Sequence, residues 1–440
     1  MQQDFTQGAI RPALIRFSVP LMAGNLLQQL YNLVDTWVVG RYLGKEALAA
    51  VGSAFSLMTL LTSILLGLSM GSSVVFSQFW GQQDSKRFKQ SVANAFGLLV
   101  FVTVVLLCVA YGSLSAVTKL MRVPREVEGY FTLYLSVIFA GIPFIFLYNF
   151  YAALLRSVGN TVPALVTLFI ATLTNIVLDV LFVLVFPFGI AGAAWATVIA
   201  QGLSALALLF YTIVKKPQLN FSLKDCSPDY ALLRRLASVS FLTGMQQSIM
   251  NFGILMIQSL VNSFGVATMA AFAAGVKIDA FAYAPAQDFA NGFTTFVAQN
   301  KGAQKHERII QGIKEAFLLS CTFCLILSLV IFFCAPILLT LFIDPGQKEV
   351  LDIGVQYLRW EGSFYVGIGM LFLFYAVFRG LERSGVSVVL TIISLGLRVL
   401  IAYTLAPVFG VLAIWISVPI GWFVADIVGF LILLRNKSSY

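Results

Sequence analysis

The chain has 440 residues, of which 59% are hydrophobic and only 11% charged. Soluble domains carry about 25% charged residues, so a water-soluble enzyme is excluded. One His and five Cys leave no material for a His-based triad, a His-rich metal site or a disulfide framework. The net charge of +9 matters less than which loops carry it.

Residues 1–10 are polar and are not expected to form a signal peptide, since no basic start leads into a cleavable apolar stretch. A membrane helix needs about 20 apolar residues. Apolar runs predict twelve helices, at 13–39, 47–79, 91–117, 130–155, 162–186, 189–214, 231–263, 267–300, 312–343, 351–381, 386–408 and 410–434. The fold class expected is an all-α integral membrane protein of two six-helix lobes. The polar stretch 215–230, with Lys215, Lys216, Pro217 and Pro228, reads as a cytoplasmic linker between lobes 1–214 and 231–440.

With the N-terminus inside, the inner segments carry 19 Lys and Arg and the outer loops 7. The excess predicts both termini in the cytoplasm of a cell-membrane protein. Contact with anionic lipid accounts for the basic loops, so no nucleic-acid partner is expected. A monomer is the expected state.

The halves repeat. A shift of 221 lays residues 43–99 on 264–320 without a gap, and 7 of the 21 positions in 76–96 are identical. A shift of 223 sets Arg156 on Arg379. Each half has an even number of predicted helices, so both run the same way. Parallel repeats imply a pseudo-two-fold along the membrane normal, with a substrate path between the halves.

A charge at the bilayer centre costs at least about 2.5–3.5 kcal/mol, so each one needs a reason. Asp35 falls in helix 1 and Asp179 in helix 5, with Asn175 one turn before it on the same face. That face offers oxygens for Na⁺ or a place to hold a proton. Under the repeat, Asp35 falls on Met256, Asn175 on Arg398 and Asp179 on Ala402. The acidic cluster therefore reads as belonging to the first half, where ion coupling is expected. Asp279, Glu361 and Asp426 are expected to be neutralised by local polar partners. Arg398 is expected to pair with Asp288, ahead of Asp279 or Asp426. Pro20, inside helix 1, predicts a kink.

Other motifs carry less. Cys321-x-x-Cys324 sits in an apolar helix, which argues against redox or zinc chemistry. Gly367 and Gly369 suit close helix packing. The chain has no phosphate-loop motif, so ATP is not expected to drive it and no cofactor is called for. A lipid-linked-saccharide flippase is the rival reading. It would want a cleft rich in Arg and Lys, and the only candidates are Lys277 and Arg398.

The chain resembles the multidrug and toxic compound extrusion (MATE) family along nearly its whole length. The segments that carry the likeness are 18–52, SQFWGQQD (77–84), LLRSVGNTVPAL (154–165), TNIVLDVLF (174–182), GAAWATVIAQ (192–201) and 277–303. The resemblance implies twelve helices, a central cleft, and export of organic cations or amphipathic drugs against H⁺ or Na⁺. By motif match it places a cation site at Asp35, Asn175, Asp179 and Thr197, and a bending proline at Pro20. Gln28, Tyr31, Lys277, Asp288 and Arg398 are then expected in the substrate cleft or in a polar network of the C-terminal lobe. Helix 7 has no Asp or Glu, so the chain departs from relatives whose second lobe holds the ion.

Overall fold

The computed structural model describes residues 3–120, 123–186, 188–222, 225 and 229–435. Fourteen α-helices follow one another among these residues. They are α1 (Ile10–Tyr42), α2 (Lys45–Gly81), α3 (Ser85–Leu120), α4 (Arg125–Phe139), α5 (Ile142–Ser157), α6 (Val162–Asp179) and α7 (Gly189–Lys215), then α8 (Tyr230–Asn262), α9 (Val266–Gly302), α10 (His306–Leu339), α11 (Lys348–Gly362), α12 (Tyr365–Gly380), α13 (Ser384–Phe409) and α14 (Val411–Arg435). A π-helical turn, Val180–Val185, continues α6.

These fourteen helices make the twelve spans of a two-lobed membrane fold. The expected single helices 130–155 and 351–381 are each broken. α4 and α5 meet at 44°, and α11 and α12 at 48°. The first break contains Gly141 followed by Pro143, and the second contains Gly362 and Ser363, the residue types at which helices kink. A shift of 223 carries Ala140 and Gly141 onto Ser363 and Phe364, so both breaks occupy one position of the repeat.

Eight helices are long and apolar enough to cross a membrane, and the bent pairs bring the number to ten. The other two spans, α1 and α8, are the first of each half. They are more polar, with Asn25, Gln28, Gln29, Asn32 and Asp35 in one, and Gln246, Gln247, Asn251 and Gln258 in the other. Many large apolar side chains are exposed, including Trp37, Phe210, Phe333 and Val408. An apolar surface of that extent suits lipid and not water. α1 runs through Pro20 without losing its helical path.

Backbone geometry repeats as the sequence does. Gly44 and Gly265, which precede α2 and α9, have φ of +88° and +96°, values that favour glycine. Gln83 and Gln304, at the next turn of each half, both sit in the left-handed region.

Two compact units emerge. Among the described residues, one comprises Gln3 and 23–244, and the other comprises 4–22 with 245–435. The unit boundaries therefore fall inside α1 and α8, not in the 215–230 stretch. Within the first unit, Leu232 and Leu236 of α8 join a core of Phe76, Phe131 and Phe150. Within the second, Phe5, Leu14 and Phe17 join Phe293, Phe296 and Phe378. Phe5 is held by polar contacts too: Gln299 Oε1 accepts its N–H (3.2 Å), and Asn300 Nδ2 and Arg308 Nε donate to its carbonyl (3.1 and 2.8 Å). Of the 215–230 stretch, Pro228 and four other residues lie outside the described residues. There the Ser222 N–H and hydroxyl donate to Asp225 Oδ2 (2.7 and 3.0 Å), which holds that carboxyl below its usual range.

Candidate functional site

The first unit gathers a buried polar centre from four helices. α1 supplies Tyr31 and Asp35, α4 supplies Tyr134, α6 supplies Asn175 and Asp179, and α7 supplies Thr197. Asp35, Asn175, Asp179 and Thr197 are 0–7% exposed. The Asp35 and Asp179 carboxylates lie within electrostatic reach of each other, and both act on Tyr31 and Tyr134. Tyr31 lies beside Thr197. Thr197 Oγ1 donates to the Ala193 carbonyl (3.2 Å), which fixes its rotamer.

Much of this centre has no protein partner. Both Asp179 carboxylate oxygens, Asp35 Oδ1 and both amide atoms of Asn175 are buried without a hydrogen bond. Buried polar groups are normally paired, and each unmade bond costs about 1–3 kcal/mol. The unpartnered oxygens stand where the helix gives way to the π-helical turn, since Asp179 immediately precedes Val180–Val185. Such turns are frequent at functional sites.

Beside this centre, Gln28 and Tyr31 line a cavity of about 80 Å³ with Tyr148, Asn149, Thr172 and Gln201. Gln28 and Tyr31 of α1 thus lie on the side of α1 that faces this cavity. Tyr134 was not anticipated, although a shift of 223 lays it on Tyr357.

The second unit also brings acidic groups together. Asp279 of α9, Glu361 of α11 and Arg398 of α13 line one cavity of about 200 Å³. Asp279 accepts hydrogen bonds from the hydroxyls of Tyr357 and Tyr365. Glu361 is electrostatically coupled to Asp279 and Arg398. The repeat failed to reveal this because these carboxylates come from other helices than Asp35 and Asp179. Arg398 is therefore set with Asp279 and Glu361, the carboxylates that line the same cavity. Lys277 stands apart. It is exposed, with Nζ 5.8 Å from the centre of the Phe342 ring. Asp426 is buried with both oxygens unpartnered, so it lacks the local neutralising partner expected for it.

Comparison with known proteins agrees with the duplicated architecture. The MatE family matches residues 20–181 and again 243–404. The chain is 29% identical to the probable multidrug resistance protein YpnP of Bacillus subtilis, over 89% of this chain and 87% of that one. It is 25% identical to the probable multidrug resistance protein NorM of Thermotoga maritima, over 95% and 90%. Among solved structures, a MOP superfamily transporter from Pyrococcus furiosus superposes with a TM-score of 0.93 at 25% identity, covering 99% of this chain and 97% of that one. Each half carries one copy of the family unit, and the protein belongs to the MATE family of multi-pass membrane transporters.

Proposed function

We propose that this multidrug-type transporter is a secondary antiporter, exporting organic cations or other amphipathic compounds in exchange for inward H⁺ or Na⁺. The coupling ion binds at Asp35, Asn175, Asp179 and Thr197. The observation that carries this is the acidic pair on α1 and α6, buried in membrane-spanning helices with oxygens that no protein group satisfies. Two adjacent carboxylates repel, and one bound proton or Na⁺ relieves that repulsion. Ion entry would then favour a different packing of α1, whose Pro20 lacks one backbone hydrogen bond and bends at low cost. One charge moving through 100 mV supplies about 2.3 kcal/mol, enough for roughly a fifty-fold gradient of a neutral substrate. The excess of Lys and Arg in alternate loops supports a topology with both termini in the cytoplasm.

The test is ethidium efflux from proteoliposomes under an imposed pH gradient or an imposed Na⁺ gradient. Export driven by one gradient and lost in the Asp35→Asn variant supports the reading. Export that proceeds with neither gradient overturns it.

A further inference from the structure

The cavity of the second unit contains charged groups whose binding capacity is not used. Arg398 is 8% exposed. It makes no ion pair or hydrogen bond among the described residues, and its Nε is buried without a partner. A guanidinium offers five N–H donors in a rigid fork that suits carboxylates. Glu361 is 4% exposed, and its Oε2 is likewise buried and unpartnered. Asp279 differs, because two tyrosine hydroxyls already satisfy it.

Arg398 and Glu361 thus face one cavity with opposite charges but do not close on each other as an ion pair. Each disfavours a simple ligand. A ligand with only a positive charge leaves the Arg398 guanidinium unmatched, while Glu361 and Asp279 together repel a plain anion. A ligand bearing both charges a short distance apart meets both groups at once. Phe272, Tyr283, Phe372 and Trp422 supply aromatic wall for an apolar body. The volume of about 200 Å³ falls below the roughly 300–1,000 Å³ of pockets for drug-sized ligands. It suits a molecule of amino-acid size.

We propose that this cavity binds a compact zwitterion with an apolar or aromatic body, its carboxylate on Arg398 and its ammonium on Glu361. The site is separate from the Asp35–Asp179 centre, and its occupancy requires no ion gradient.

The experiment compares three probes that share a phenyl ring: L-phenylalanine, 2-phenylethylamine and 3-phenylpropionate. Binding to the full-length protein in lipid nanodiscs is measured by calorimetry at neutral pH. L-Phenylalanine is expected to bind at least about tenfold more tightly than either single-charge probe, the ratio that one charge-assisted contact supports. Arg398→Gln should erase its advantage over phenylethylamine, and Glu361→Gln its advantage over phenylpropionate. Equal affinity of wild-type protein for L-phenylalanine and either single-charge probe overturns the proposal, as does no saturable binding of any of the three. The wild-type comparison needs no variant to fold. Because no transport is measured, the result is distinct from success or failure of the antiport reading.

Discussion

Gly71 of α2 lies against the backbone of Ser240 of α8, so close that a Cβ on the glycine would stand 2.4 Å from Ser240 Cα. One turn earlier, a Cβ on Gly67 would meet Gly244 Cα at the same distance. The Ser72 and Ser240 hydroxyls share a hydrogen bond of 3.0 Å beside this contact. Small residues four apart on both helices let the backbones touch, which is how helices gain dispersion energy where lipid offers no hydrophobic drive. Gly71→Leu is therefore expected to force the helices apart and destabilise the first unit by about 1–3 kcal/mol or more. Gly97→Leu, at a position with no neighbour within 4 Å, serves as the control. Thermal unfolding of the two purified variants checks this, and equal midpoints would refute the contact.

Asp35→Asn and Asp179→Asn are each expected to lower gradient-driven efflux at least about tenfold while membrane yield holds, since Asn is isosteric with the protonated acid. Sharing one ion makes the two effects non-additive. The double variant should bind the coupling ion no more weakly than the worse single one. A double variant markedly weaker than both would assign the two carboxylates to separate sites.

Tyr365→Phe removes one of the two hydroxyls that serve Asp279. Hydrogen bonds between membrane helices are worth about 0.6–2 kcal/mol, so a lowering of the unfolding midpoint by a few degrees is expected. In an Asp279→Ala background the same substitution should cost almost nothing. A full effect in that background would mean that the Tyr365 hydroxyl acts through another group.

Cutting the chain near residue 222 should leave neither fragment stable alone. The first unit needs Leu232 and Leu236 from the second fragment. The second unit needs Phe5, Leu14 and Phe17 from the first. Co-expressed fragments are expected to copurify and to recover efflux. If either fragment alone gives a sharp unfolding transition, the exchanged segments are dispensable.

Apolar periodicity located most of the helices well. The predicted 189–214 and 231–263 differ by a residue or so from Gly189–Lys215 and Tyr230–Asn262. The breaks at Ala140–Gly141 and Ser363–Phe364 stayed hidden, because hydrophobicity continues through both. Asp35 and Asp179 stood out as charges within apolar runs, and the structure brings them together. Asp279, Glu361 and Arg398 were each visible too, but their gathering around one cavity was not, for a physical reason. Comparing halves position by position asks whether Asp35 and Asp179 have copies, whereas Asp279 and Glu361 reach the same region from other helices. Tyr134 and Tyr357 did carry a signal, since they coincide under the repeat. A tyrosine in an apolar run, however, is too common to single out before its carboxylate neighbour is seen.

The division of α1 and α8 between units bears on what one half lacks alone. Residues 4–22 belong with the helices of the second half, and 230–244 with those of the first. The two halves match one family unit, yet each copy is completed by the leading turns of the other. One half expressed alone would leave the apolar faces of its own leading turns without the helices they pack on.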